Sequence, residues 1–176
     1  MALRGASGLA AALFLAAAGT AGAESLGPDL YQGARAGMTA VQLRHAIPDL
    51  IPADADNQSK GYDTLMDQRT VGERFPATAR FMLKAGHLDF IVLDIHEKTP
   101  AALQVDWPDL KLALTSRYGR PLDCEDSTFG TVSVGNATCK WSKGEVSVTL
   151  EAYFGPGVSL VNISYEPVAS SAGAGL

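Results

Sequence analysis

The chain has 176 residues, 47 % of them hydrophobic and 19 % charged, with a net charge of −5. That length holds one domain or two small ones, and the balance is that of a globular chain, not a disordered or fibrous one. Binding a nucleic-acid backbone takes clustered Lys and Arg to displace counterions, so a nucleic-acid partner is not expected.

Met1 to Ala23 carries Arg4, the apolar run Leu9 to Ala18 and the small triplet Ala21-Gly22-Ala23. This is the layout of a secretory signal peptide (1–23) cut after Ala23, and its apolar run is too short to span a bilayer. No cysteine lies near the cut to carry a lipid, and no later stretch is long and apolar enough to cross a membrane. The expectation is a soluble exported protein that begins with a polar, Gly-rich lead (24–36).

Thr39 as N-cap with Gln42 three residues on forms a capping box, Met38 and Leu43 are placed as its hydrophobic staple, and a short helix from Ala40 to Ala46 follows. Pro48 stops it. Ile51 to Lys60 reads as a polar loop and Gly61 to Met66 as a weak strand. Arg80 to Lys84 and His87 to Ile95 read as a hairpin around Ala85-Gly86, with Leu83 opposite Leu88 and Phe81 opposite Phe90. Residues 97–106, containing Pro100, read as a connector.

A second helix is expected from Trp107-Pro108 to Tyr118, with Leu110, Ala113, Leu114 and Arg117 on one face, Leu112 beside it, and Gly119 then Pro121 ending it. Thr131 to Val134 and Ala137 to Ser142 form a hairpin about Gly135-Asn136. Lys143-Gly144 then turns into Glu145 to Tyr153, with Trp141 opposite Val146 and Cys139 opposite Val148. Val146, Val148, Leu150 and Ala152 alternate with Ser147, Thr149 and Glu151, the mark of a sheet with one wet face. After Gly155-Pro156-Gly157, Val161, Ile163 and Tyr165 alternate again, and 168–176 is a frayed tail.

Cys124 and Cys139 are an even pair in an oxidising compartment, so one disulfide is expected. Closing about 15 residues contributes roughly 3 kcal/mol in the chain-entropy model. A structural zinc site wants four ligands and a thioredoxin-type pair wants Cys-x-x-Cys, so the bridge reads as a staple pinning the helix-to-strand loop onto the sheet.

The fold class expected is α+β: a tandem of two helix-plus-antiparallel-sheet units, 37–96 and 107–167, the second a four-stranded meander. Gly37-Met38-Thr39 opening a short helix, followed by Phe81 to Ile95 with Gly86 at its turn, resembles the small periplasmic domains of the BamE (SmpA/OmlA) type. The tandem layout also resembles the β-lactamase-inhibitor-protein architecture. That resemblance implies a periplasmic protein that binds another protein.

Chemistry-bearing groupings are sparse. His87-x-Asp89 and Asp94-x-His96-Glu97 share one strand, but their positions have opposite parity and point to opposite faces unless a bulge intervenes. No Gly-x-Ser-x-Gly, His-Glu-x-x-His or phosphate-binding Gly-rich loop is present. His45 suits the end of the first helix, Asp54, Asp56, Glu125 and Asp126 read as loop acids, and Trp107 and Trp141 read as core. No catalytic residue, metal ligand or cofactor is therefore expected. The reading is a periplasmic non-enzymatic binding protein whose partner is an envelope protein or an exported hydrolase. The alternative is a small hydrolase or metal-dependent enzyme using His87, His96 and nearby carboxylates.

Overall fold

The computed structural model describes residues 26–56, 58–71, 74–96, 99–126, 135–156 and 158–168. The expected signal peptide, the expected strand Thr131–Val134, Glu97 and residues 169–176 of the tail lie outside them.

The lead is not a plain tether. Asp29–Tyr31 (β1) and Ala34–Arg35 (β2) form a small hairpin that buries Leu30, Tyr31 and Ala34. Gly33 turns it at φ 87°, donating its N–H to Asp29 Oδ1 at 3.1 Å. The helix Ala40–Ala46 (α1) has the expected bounds and both halves of the capping box: Thr39 N–H donates to Gln42 Oε1 at 2.8 Å, and Gln42 N–H to Thr39 Oγ1 at 3.4 Å.

Ile51–Pro52 (β3), Asp63–Val71 (β4), Phe75–Lys84 (β5) and His87–Ile95 (β6) follow. Ala85 and Gly86, at φ 50° and 82°, make the two-residue turn between β5 and β6. Both left-handed residues match the twist of the flanking strands. Leu83 pairs with Leu88 as expected, but Met82 pairs with Phe90 and Phe81 with Ile91. Asp89 is the extra residue of a bulge, which a strict two-residue alternation cannot announce.

The helix Pro100–Tyr118 (α2) begins seven residues before the expected start, absorbing most of the supposed connector. Thr99 caps it, accepting from Ala102 N–H at 3.1 Å, and Pro100 sits where its missing N–H costs nothing. Pro108 lies inside the helix. Leu103, Trp107, Leu110 and Leu114 are buried, whereas Val105 and Leu112 on the opposite side are exposed. A helix apolar on both sides gives little periodic signal.

Asp123–Glu125 (β7), Gly135–Lys143 (β8), Val146–Gly155 (β9) and Val158–Pro167 (β10) are the remaining elements among the described residues. Gly135 and Asn136 pair with Phe154 and Tyr153 inside β8, so they are strand and not turn. The tight loop after β8 is Gly144-Glu145, because Lys143 pairs with Val146. Trp141 therefore meets Val148 and Cys139 meets Leu150, a slip of two residues that leaves every side chain on its expected face.

The expected tandem of two helix-plus-sheet units is overturned. One antiparallel sheet of eight strands runs in the order β3-β4-β5-β6-β10-β9-β8-β7, beside the two-stranded β1-β2. The seam is β6 against β10, Ile95 opposite Val161 and Leu93 opposite Ile163. Local alternation told which residues face inward but not that β10 has a second neighbour. A single hydrophobic core spans the whole sheet on one face, with Phe81, Ile91, Leu93, Leu150 and Ile163 under Leu43, Leu103, Trp107 and Leu110 of the helices. Tyr165 stacks between Tyr31 and Tyr118, at 5.1 and 6.3 Å between ring centres, and burial pushes its phenol well above the usual tyrosine range.

Candidate functional site

Because α1, α2 and the β1-β2 hairpin bury the inward face, function is sought on the other. There the register lines up a polar row across seven strands. Gln68 on β4 faces Thr78 on β5, Thr78 faces Asp94 on β6, and Asp94 faces Asn162 on β10. Asn162 then faces Glu151 on β9, Glu151 faces Thr138 on β8, and Thr138 faces Glu125 on β7. Side chains directly opposite in an antiparallel pair lie about 5 Å apart, so the row reads as a continuous strip of donors and acceptors.

The two ends of this strip differ. On β5 and β6 the groups satisfy one another. Arg80 Nε and Nη2 donate to Asp94 Oδ2 and Oδ1 at 2.5 and 2.9 Å, a two-pronged contact. Asn162, with its amide nitrogen turned to Asp94, lies 3.1 Å from Oδ1. His96 Nε2 lies 2.8 Å from Thr78 Oγ1, which accepts from Gln68 Nε2 at 3.2 Å. An open cleft of about 420 Å³ lies over this end, lined by Arg80, Asp94, His96, Leu160 and Asn162 among others. The buried Ser159 Oγ at its wall has no hydrogen-bond partner among the described residues.

Across β8, β9 and β10 the strip is less satisfied. A second hollow of about 220 Å³ lies over Glu151, with Asn136, Thr138, Tyr153, Leu160 and Asn162 around it. Tyr153 and Leu160 stand 47 % and 56 % exposed there, and Val158 beyond them 42 %. Toward β4 the same face is partly closed: Thr64 and Met82 are buried, and the Tyr62 ring meets Phe90 edge-on at 5.2 Å.

The histidine and carboxylate groupings do not converge. The bulge at Asp89 does switch the alternation along β6, but His87 and His96 sit at opposite ends of that strand, nine positions or about 30 Å apart. His87 Nδ1 is 3.1 Å from the Ala85 carbonyl, Asp89 accepts from Tyr62 OH at 3.2 Å, and Asp94 is engaged by Arg80. His45 is exposed in the last turn of α1, and Asp54 and Asp56 are in the loop after β3. Glu125, expected in a loop, is instead the last residue of the strand β7, whereas Trp107 and Trp141 are core as expected. Trp141 Nε1 has no hydrogen-bond partner among the described residues.

Cys124 and Cys139 are joined by a disulfide, and no free cysteine is present among the described residues. The bridge does not pin a loop. Cys124 lies on β7 directly opposite Cys139 on β8, with Cα atoms 4.0 Å apart, so it fastens the edge strand to its neighbour. Asp126, expected as a solvated loop acid, accepts from Trp107 Nε1 at 3.1 Å and Lys111 Nζ at 2.5 Å. The Lys111 bond, then the Trp107 bond, holds its carboxyl below the usual range. This cluster of Cys124, Cys139 and Asp126 has ligand atoms within 4.8 Å of one another. With both sulfurs in a disulfide and the carboxylate held by Lys111 and Trp107, it offers a cation no thiolate.

The polar strip was half visible in the sequence. Ser147, Thr149 and Glu151 marked a wet face on one strand, but its continuation into Asn162 and Asp94 depends on the β9-β10 and β6-β10 pairings. A disulfide fits an extracytoplasmic protein, and no helix among the described residues is long and apolar enough to cross a membrane. No family model, curated protein or solved structure matches this chain.

Proposed function

We propose that the protein is exported to the periplasm and binds another envelope or exported protein through the open face of the eight-stranded sheet. The observation that carries this is the exposed, directly opposed pair Tyr153 and Leu160 set beside a strip of hydrogen-bonding side chains. Aromatic and aliphatic anchors ringed by polar groups are what the centre of a protein interface offers. Export rests on the pattern of Met1 to Ala23 and on the Cys124–Cys139 bridge. The likeness to BamE-type domains, resting on Gly37-Met38-Thr39 and the turn at Gly86, belongs to the same proposal.

The test is site-specific photo-crosslinking in intact cells, with the crosslinker placed at Tyr153 or Leu160 and, as a control, at Val105 on the outer side of α2. A discrete adduct from the sheet positions, abolished by Asn162→Arg and absent from Val105, supports the reading. No adduct at either sheet position overturns it.

A further inference from the structure

The geometry points to the hollow over Glu151 as a socket for an arginine side chain presented by the partner. This rests on the protein-binding reading of the open face and names the chemistry that the partner brings to it.

Glu151 is an exposed carboxylate lining that hollow, and no cation pairs with it among the described residues. The contrast is with Asp94, two strands away in the same row, which Arg80 already neutralises. Lys140 is the nearest cation on β8, one same-face position beyond Thr138, and it stands opposite Asp123 of β7. Glu151 is thus an acceptor awaiting a positive group, in a chain whose net charge is −5.

The surroundings select a guanidinium over an ammonium. Asn162 and Thr138 stand directly opposite Glu151 on either side, and each can offer an oxygen as acceptor. Tyr153, two residues along the same strand face, presents a half-exposed ring between Asn136 and Leu160. A guanidinium is planar, carries five donors in a fixed fork and stacks on an aromatic face, so one group can meet the carboxylate, the flanking oxygens and the ring together. An ammonium is a more strongly hydrated point charge with no flat face for the ring. The hollow of about 220 Å³ has room for the head of the side chain.

The test uses Nα-acetyl-arginine N-methylamide as probe, titrated into the exported, ¹⁵N-labelled protein with its disulfide intact, alongside the lysine and citrulline analogues. The arginine probe is expected to give saturable shifts confined to the amides around Asn136, Glu151, Tyr153 and Asn162. Glu151→Gln, at an exposed position, should keep the dispersed spectrum and bind about tenfold more weakly. The citrulline analogue, matched in shape but uncharged, should give no saturable shift. Absence of saturation, equal binding of the lysine or citrulline analogue, or undiminished binding by Glu151→Gln overturns the socket.

Crosslinking from Leu160 in the Glu151→Gln background separates the two readings. A reduced adduct supports the socket. An undiminished adduct removes the arginine and leaves the protein-binding face standing, whereas no adduct even with Glu151 present removes the face itself.

Discussion

Arg80 and Asp94 form a two-pronged pair across adjacent strands, one position diagonal to the register that sets Arg80 opposite Val92. Their side chains are 25 % and 32 % exposed, between a surface ion pair and a buried one. Arg80→Ala and Asp94→Ala should each cost about 1–2 kcal/mol, with a coupling of about 1 kcal/mol in the double-mutant cycle. Urea denaturation of the four proteins checks it, and strict additivity would show that the contact contributes nothing of its own.

The bridge between Cys124 and Cys139 closes a separation of 15 residues. Replacing both by Ala should lower stability by about 2–4 kcal/mol. Because β7 is an edge strand of three residues, hydrogen exchange should rise first at Asp123 to Glu125 and along the facing part of β8. Protection unchanged there, in a protein as stable as the parent, would contradict the fastening role.

Asp126 ties the segment after β7 to α2 through Lys111 and Trp107. Its carboxyl titrates below the usual range in the folded protein, so its contribution is complete above the unfolded-state value and is lost as pH falls through the depressed folded value. Asp126→Asn should cost about 1 kcal/mol at neutral pH. The difference from the parent should shrink to nothing in strong acid, read from stability curves between pH 7 and pH 2. A difference that stays constant across that range would place the effect in packing instead of charge.

Ala85 holds φ 50° in the tight turn before Gly86. A left-handed conformation costs an alanine about 1 kcal/mol relative to residues that adopt it readily, and asparagine is one of those. Ala85→Asn, at an exposed site, should raise stability by about 0.5–1 kcal/mol, measured as a higher denaturation midpoint with an unchanged slope.

What was legible in the sequence was local. The capping box at Thr39 and Gln42, the turn at Ala85-Gly86 and the inward faces of β9 and β10 follow from nearest-neighbour chemistry and a period of two. The long start of α2 was hidden because Pro100 read as part of a connector and Pro108 as the helix entry, whereas Pro100 sits at the entry and Pro108 is tolerated inside. The outward Val105 and Leu112 blurred the helical period further. The polar strip was out of reach for another reason. It is assembled one residue per strand, so that Gln68, Asp94 and Glu151 fall in one row only once β10 has paired with β6.

The seam between β6 and β10 sets the order in which such a chain can fold. Its pairs, such as Ile95 with Val161, close a long loop before any contact rewards it, whereas the hairpins on either side close short ones. The hairpins should therefore form early and the seam late. Until it closes, two apolar strands, with Leu93 on one and Ile163 on the other, expose bare edges to any neighbouring chain. The interval before that closure is when this protein is most open to aggregation.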